Sequence, residues 1–471
     1  MNNFSAEGGS ASGGKDLIVR NKLLLIILLV SFGLSISYSF YYRIEPAVDA
    51  LSYDKIAQNI VSGVGYRENI GTDLAYDYSI ARVGPLYEYF LAGIYKIFGH
   101  SYGAVWIIQA LLHAASAYLI YLICLLVFAK SSLREGSPEG RENDSSVQTG
   151  KKIGLWAAAI FGFYPDLIEI SAMLMTETLY LFFTCLMVYL FMFYVRNDGL
   201  KTFLLLSFVS GLAVLVRPPL LFFLPILFFY LYKKRDWGRA MIMAVILILV
   251  FVPWTIRNYK VYGEIMPFGT AGALNFWIGN HVGANGEQEA GAEISDYISK
   301  NSAVDINSES MNQFKRFVVN YPGEFAKLTA LRINKYFSVL RPMGFWFYTS
   351  GWRQILFVFS SAIFSFLVFI LSFGGIIKSL KLKNEYINYL AAFTIATPLI
   401  LFITVVETRY RFQIYPLLAI FSAYFISLFE SDKSVWLKTA IVSLVVISAN
   451  GLIDGLINFS QFKDKIFSHF G

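Results

Sequence analysis

Eleven apolar runs, of roughly 15 to 25 residues each, divide this chain from Leu23 almost to its end. A helix needs about 20 residues to cross the hydrocarbon core of a bilayer. No water is available there, so every backbone amide and carbonyl must be paired within the protein. A chain written this way is expected to fold as an all-α, polytopic membrane protein. The runs lie near 23–42, 104–129, 153–165, 177–195, 202–216, 219–232, 240–256, 354–377, 386–405, 412–429 and 436–457. Those near 153, 202 and 219 are short, which suits spans completed by non-helical backbone buried against protein. No small-residue cleavage site follows the first run, so it reads as a retained span and not a signal peptide. The stretch 1–22 before it is Gly/Ser-rich and reads as a disordered cytoplasmic N-terminus.

Lys and Arg set the orientation. With the N-terminus inside, the cytoplasmic segments are 1–22, 130–152, 196–201, 233–239, 378–385 and 430–435. They hold KKRDWGR from 233, KSLKLKNE from 378 and the pair Lys151–Lys152, so the short basic clusters fall on one side. The net charge of +7 therefore belongs to these loops and not to a nucleic-acid surface. Two long segments, 43–103 and 257–353, fall outside. The first contains YDKIAQNIVSG, with Ile56, Ile60 and Val61 on one side, and PLYEYFLAGIYKIFG. Both read as amphipathic helices lying in the interface plane. The second is partly helical, with a polar, mobile loop at GANGEQEAGAEISDYISKNS. The expected organisation is thus a transmembrane core over 23–256 with a catalytic first outer loop 43–103, a covering outer segment 257–353, and C-terminal spans over 354–471. The cytoplasmic loops are too short for an enzyme domain, so an active site is expected on the outer face.

Asp49 sits where the chain has just left the first span, with Tyr53 and Asp54 close behind. A carboxylate at that border is partly desolvated, although an ordinary interfacial residue ending a helix is the plain alternative. There is no HExxH pattern, no Cys/His spacing and no phosphate-binding Gly loop, so metal-dependent chemistry and nucleotide hydrolysis have no motif behind them. His281 is the one weak metal candidate, and a lone His in a Gly-rich loop is ordinarily solvated.

DALSYDKIAQNIVSGVGY, then Arg82 and PLYEYFLAGIYKIFG, resembles the first outer loop of the GT-C superfamily of integral-membrane glycosyltransferases. The branch is that of bacterial relatives of protein O-mannosyltransferases (glycosyltransferase family 39) and of the lipid A aminoarabinose transferase. YPDLIEISAMLMTETLYLFF resembles its proline-then-Thr-Glu helix, and LAVLVRPPLLFFLP its Arg-Pro turn. PWTIRNYKVYGEIMPFGTAGALNFWIGN resembles its Pro-Trp-x-x-Arg-Asn segment and the Gly-Asn stretch ending on Asn280. ETRYRFQIYPLLAI resembles its late Arg-Tyr-Arg helix start. The motifs run in the expected order from about 45 to 420. Many members carry two adjacent acids in the first outer loop, whereas here the second position is Ala50, so any role of that acid is lost or falls to Glu45 or Asp54.

The resemblance implies an inverting transfer of sugar from a polyprenyl phosphate, in cell envelopes undecaprenyl phosphate, to a hydroxyl acceptor at the outer face of the cell (inner) membrane. No cofactor is required; a divalent metal is left open. A hydroxyl needs a base to take its proton as the bond forms, and Asp49 is the candidate. The departing phosphate gains charge, which fixed guanidinium groups would stabilise. Arg82, Arg257, Arg409 and Arg411 are the candidates, because topology puts all four outside, against the inward bias of positive charge. The competing account of each is snorkelling to headgroups or pairing with an acid such as Glu407. Glu177, after Thr176 at the start of a span, either caps that helix or positions substrate or an Arg; Asp166 and Glu169 share its turn. Tyr53, Asp54 and Asn280 complete the substrate-positioning set. Two rivals remain: a transporter or flippase, whose mark would be midplane charges and internal repeats, and a polysaccharide polymerase or ligase acting on lipid-linked sugars.

Overall fold

A computed structural model describes residues 11–77, 84–128, 142–269, 271–341, 350–460 and 463. Among the described residues all regular structure is helical. The N-terminal half contains α1 (Ala11–Tyr42), α2 (Asp49–Val61), α3 (Leu86–Phe98), α4 (Tyr102–Phe128), α5 (Glu142–Gly162), α6 (Pro165–Ser171), α7 (Thr176–Asn197), α8 (Leu200–Val216), α9 (Leu224–Lys234) and α10 (Trp237–Tyr262). The outer segment contributes α11 (Ala271–Gly279), α12 (Ala292–Lys300), α13 (Ala303–Asn320) and α14 (Pro322–Phe337). The chain ends with α15 (Trp352–Ser379), α16 (Glu385–Ala396), α17 (Leu399–Ile403), α18 (Tyr415–Ser431) and α19 (Lys433–Ile457).

Among the described residues eight helical segments are long and apolar enough to cross a membrane, or nine if α5 and α6, bent by 59°, form one broken span. The remaining expected spans are the 17-residue α8 and the 3-10 turn Pro218–Phe223 joined to α9. Prolines explain these breaks. The residue before a proline is driven out of the helical region. Tyr164 is accordingly extended before Pro165, and Arg217 is extended (φ −149°, ψ 121°) before Pro218 and Pro219. At 1.5 Å per residue α8 is about 26 Å long, short of the roughly 30 Å core. At the other end, α1 is described from Ala11, so part of the stretch 1–22 is helical.

α4 packs along α5 and α7, α7 against α8, and α18 against α5 and α15. Of the apolar window of α18, 78% is buried within the protein, against 17% for α10 and 22% for α19, so α18 is central and the other two face lipid. Lipid tails are as apolar as Leu, so membrane helices associate by close packing at small residues. Gly375 of α15 shows this: a Cβ there would sit 2.0 Å from the Phe421 carbonyl oxygen of α18.

The two amphipathic helices of the first outer loop exist as expected, as α2 and α3, packed on each other. α2 turns Ala50, Tyr53, Ile56 and Ala57 inward, while Val61, read on the same side as Ile56, is exposed. Within 283–302, expected to be a mobile loop, Ala292–Lys300 forms α12, Gly286 O accepts from Val406 N at 3.0 Å, and Lys335 Nζ donates to Asn285 O at 2.9 Å and to Glu287 at 2.7 Å. Those bonds satisfy backbone that a polar composition alone would leave to water.

Candidate active site

α17 stops at Ile403, and the chain runs unwound to Glu407 before the 3-10 turn Thr408–Ile414 leads into α18. Unwound backbone at membrane depth is tolerated only where protein satisfies it. Here Asn280 Nδ2 donates to Ile403 O at 3.0 Å, Arg332 Nη1 to Phe402 O at 3.1 Å, and Val406 N to Gly286 O. Gly279 permits the approach, since a Cβ there would lie 1.8 Å from Thr404 O. This stretch carries Glu407 and Arg409 to the wall of a cavity of about 800 Å³.

Asp49 reaches the same cavity from the first turn of α2, where a helix N-terminus favours a carboxylate. The residue before it, Val48, has φ 50° and ψ −116°. That is a strained conformation for a β-branched side chain, held only because the neighbouring structure fixes it. Asp49 Oδ2 accepts from Arg409 Nη1 at 2.9 Å, and Arg409 Nε donates to Glu407 Oε2 at 2.6 Å.

The extended Arg217, released by its two prolines, brings a second guanidinium to the cavity wall. It lies 3.1 Å from Glu177 Oε1, yet neither that oxygen nor Arg217 Nη1 makes a hydrogen bond. Both side chains are almost wholly buried. The Tyr410 ring lies 5.7 Å from the Arg217 guanidinium carbon and 5.3 Å from that of Arg409, and its hydroxyl donates to Gln288 of the outer loop. Tyr53 also lines the cavity. Burial, with the Asp49 carboxylate next in effect, holds its phenol far above the usual range, so it can donate a hydrogen bond but not act as a base. The rest of the wall is mainly apolar, with Met173, Pro218, Leu221, Phe222, Phe268 and Leu401, interrupted by Asn275, Thr404 and Gln413.

The other sequence candidates lie elsewhere. Arg82 falls outside the described residues. Arg257 packs over Trp254 and Tyr66, donates to Tyr66 O at 3.0 Å, and does not line the cavity. Arg411, two residues from Arg409, points away and donates to Ser338 O at 2.7 Å. Asp54 accepts from Tyr95 (2.5 Å), Gln58 (2.8 Å) and Tyr102 (3.0 Å) and contacts His100 Nε2 at 2.9 Å, which makes it a knot between α2, α3 and α4. Asn280 is buried under the unwound stretch. The His281 ring lies at 2.9 Å from the Val282 carbonyl, and among the described residues no group of three or more His, Cys, Asp or Glu could hold a metal ion. Glu45, one of the two places open to a second acid, is exposed and off the cavity wall. The sequence reading missed Arg217, Tyr410 and Gln288 as site residues and had Glu407 only as a pairing partner. The signal for Arg217 was a cation directly before two prolines in an otherwise apolar stretch.

The family model for dolichyl-phosphate-mannose-protein mannosyltransferases matches residues 146–256, the stretch that carries Glu177 and Arg217. No curated protein matches the chain. Its fold is similar to that of ArnT from Cupriavidus metallidurans in the apo state, at 12% identity over 95% of this chain and 65% of that one, with a TM-score of 0.50. It is also similar to the Archaeoglobus fulgidus oligosaccharyltransferase tethered to an acceptor peptide, at 14% identity over 91% of this chain and 55% of that one, with a TM-score of 0.50. The chain thus spans less than two thirds of the length of either protein. The family match and the shared fold bear out the resemblance to GT-C membrane glycosyltransferases.

Proposed function

We propose that this protein is a membrane glycosyltransferase that moves a sugar from a polyprenyl phosphate to a hydroxyl acceptor, with inversion, at the extracytoplasmic face of the cell membrane. The observation that carries this reading is the Asp49–Arg409 pair on the wall of one large, mostly apolar cavity beside the first outer loop. The apolar wall suits a prenyl chain. Asp49 is the base that takes the acceptor's proton as the new glycosidic bond forms. Inversion requires acceptor and base on the face of the sugar opposite the leaving phosphate. Arg409 and Arg217 are the cations for that phosphate, and Arg217 Nη1, buried without a hydrogen-bond partner, is the donor that a phosphate oxygen would satisfy. Arg82 keeps the same assignment on its sequence motif alone. The dolichyl-phosphate donor in the family's description supports the donor class, a polyprenyl phosphate.

The test is transfer in proteoliposomes from polyprenyl-phosphate sugars labelled in the sugar to lipids, glycans and proteins of the envelope. Label that reaches an acceptor hydroxyl with inverted configuration supports the reading. Movement of intact lipid-linked sugar across the bilayer, without transfer, would support a flippase.

A further inference from the structure

Arg409 serves two carboxylates at once. Its Nε donates to Glu407 Oε2 at 2.6 Å and its Nη1 to Asp49 Oδ2 at 2.9 Å. The two acids arrive by different routes. Glu407 stands two residues before Arg409, at the cap of the same 3-10 turn, whereas Asp49 comes from α2, 360 residues away in the chain. The donors of a guanidinium lie in one rigid plane, so the acid on Nε sets where Nη1 points.

A donor phosphate entering this cavity would be a third anion for the same cation. Arg409 and Asp49 are largely buried, though Glu407 is partly exposed, so three anions at hydrogen-bond range of that one guanidinium repel one another. One contact must yield. The Glu407 bond is local to its own turn, whereas the Asp49 carboxylate has other compensation at the N-terminus of α2. Asp49 is therefore the group displaced.

Resting on the glycosyltransferase reading above, we infer that Glu407 is a positioning residue that holds Arg409 by Nε while Nη1 exchanges Asp49 for the donor phosphate. The base is clamped in the empty enzyme and unclamped by the donor. Donor binds first, and the acceptor hydroxyl meets a competent base only afterwards.

The experiment measures binding of undecaprenyl phosphate, with no sugar and no acceptor, to the full-length protein in nanodiscs, at equal folded protein. Asp49→Asn leaves an acceptor in place but removes the negative charge that competes with the phosphate for Nη1, and is expected to tighten binding about tenfold. Glu407→Ala also removes a negative charge, yet is expected to weaken binding about tenfold, because the fork loses its anchor. Glu407→Gln keeps an acceptor for Nε and is expected to restore wild-type binding or better. If Glu407→Ala tightens binding as Asp49→Asn does, charge alone is at work and the inference fails. Unchanged binding in Asp49→Asn also overturns it. A wild-type protein that prefers undecaprenyl phosphate no more than undecaprenol overturns the donor assignment itself, a result distinct from binding with the wrong sign.

Discussion

The Asp49 carboxylate and the Arg409 guanidinium, 360 residues apart in the chain, meet at 2.9 Å. The contact joins the first outer loop to the 3-10 turn that leads into α18 and puts a carboxylate and a guanidinium together on one cavity wall.

Asp49→Asn keeps size and hydrogen bonding but cannot take a proton. Sugar transfer should fall by about 10²- to 10⁴-fold, the usual worth of general-base catalysis. Membrane abundance should be unchanged. Initial rates in proteoliposomes, normalised to inserted protein, check this; a loss smaller than tenfold would remove Asp49 as the base.

Arg217 faces Glu177 in a buried pair. Arg217→Gln leaves that carboxylate buried and uncompensated, which costs about 3–5 kcal/mol. The double variant Glu177→Gln with Arg217→Gln should recover much of the stability but not the transfer rate. Thermal unfolding and donor-dependent kcat/KM, measured side by side, separate the two roles. Recovery of activity along with stability would make Arg217 a purely structural residue.

Asp54 is expected to matter for stability and not for chemistry, because its oxygens are taken up by Tyr95, Tyr102, Gln58 and His100. Asp54→Ala should cost about 1–3 kcal/mol. The surviving folded enzyme should transfer sugar at close to the wild-type rate. A fall in kcat at unchanged stability would return Asp54 to the substrate-positioning set.

Glu88 in α3 is buried, and that burial pushes its carboxyl up to about 8. A folded-state pKa above the unfolded one means that the folded protein holds the proton more tightly. The stability it contributes is present below the unfolded value, near 4.5, and is lost as pH rises through about 8. Between pH 6 and 9 the melting temperature should therefore fall in wild type and fall less in Glu88→Gln. Parallel curves would show that Glu88 is not the group responsible.

The motifs name both Asp49 and Arg409 as candidates, because both lie in ordered family-like stretches at helix borders. They could not separate Arg409 from Arg411. The two residues occupy one 3-10 turn, where a step of two positions turns a side chain about 240° away at three residues per turn. One therefore meets the cavity and the other the Ser338 carbonyl. Arg257 and Asp54 carry the right chemistry in the right loop, but their partners, Tyr66 and Trp254 for one and Tyr95 and Tyr102 for the other, are fixed by packing that no local pattern encodes. The α2 and α3 helices were legible because amphipathic spacing is local. The breaks at 163–164 and 217–219 were only half legible: prolines announce a break but not which side chain it releases inward.

The amide of Val406 is paired with the carbonyl of Gly286, and Asn280 and Arg332 hold the carbonyls just before it. Lifting the 282–290 loop would strand the Val406 amide, at a cost of roughly 1–3 kcal/mol, and would break the Lys335 contacts to Asn285 and Glu287. The roof and the floor of the chamber are therefore one fabric. A long-chain substrate is expected to slip in laterally from the surrounding leaflet, between helices, and not through a hatch opening above.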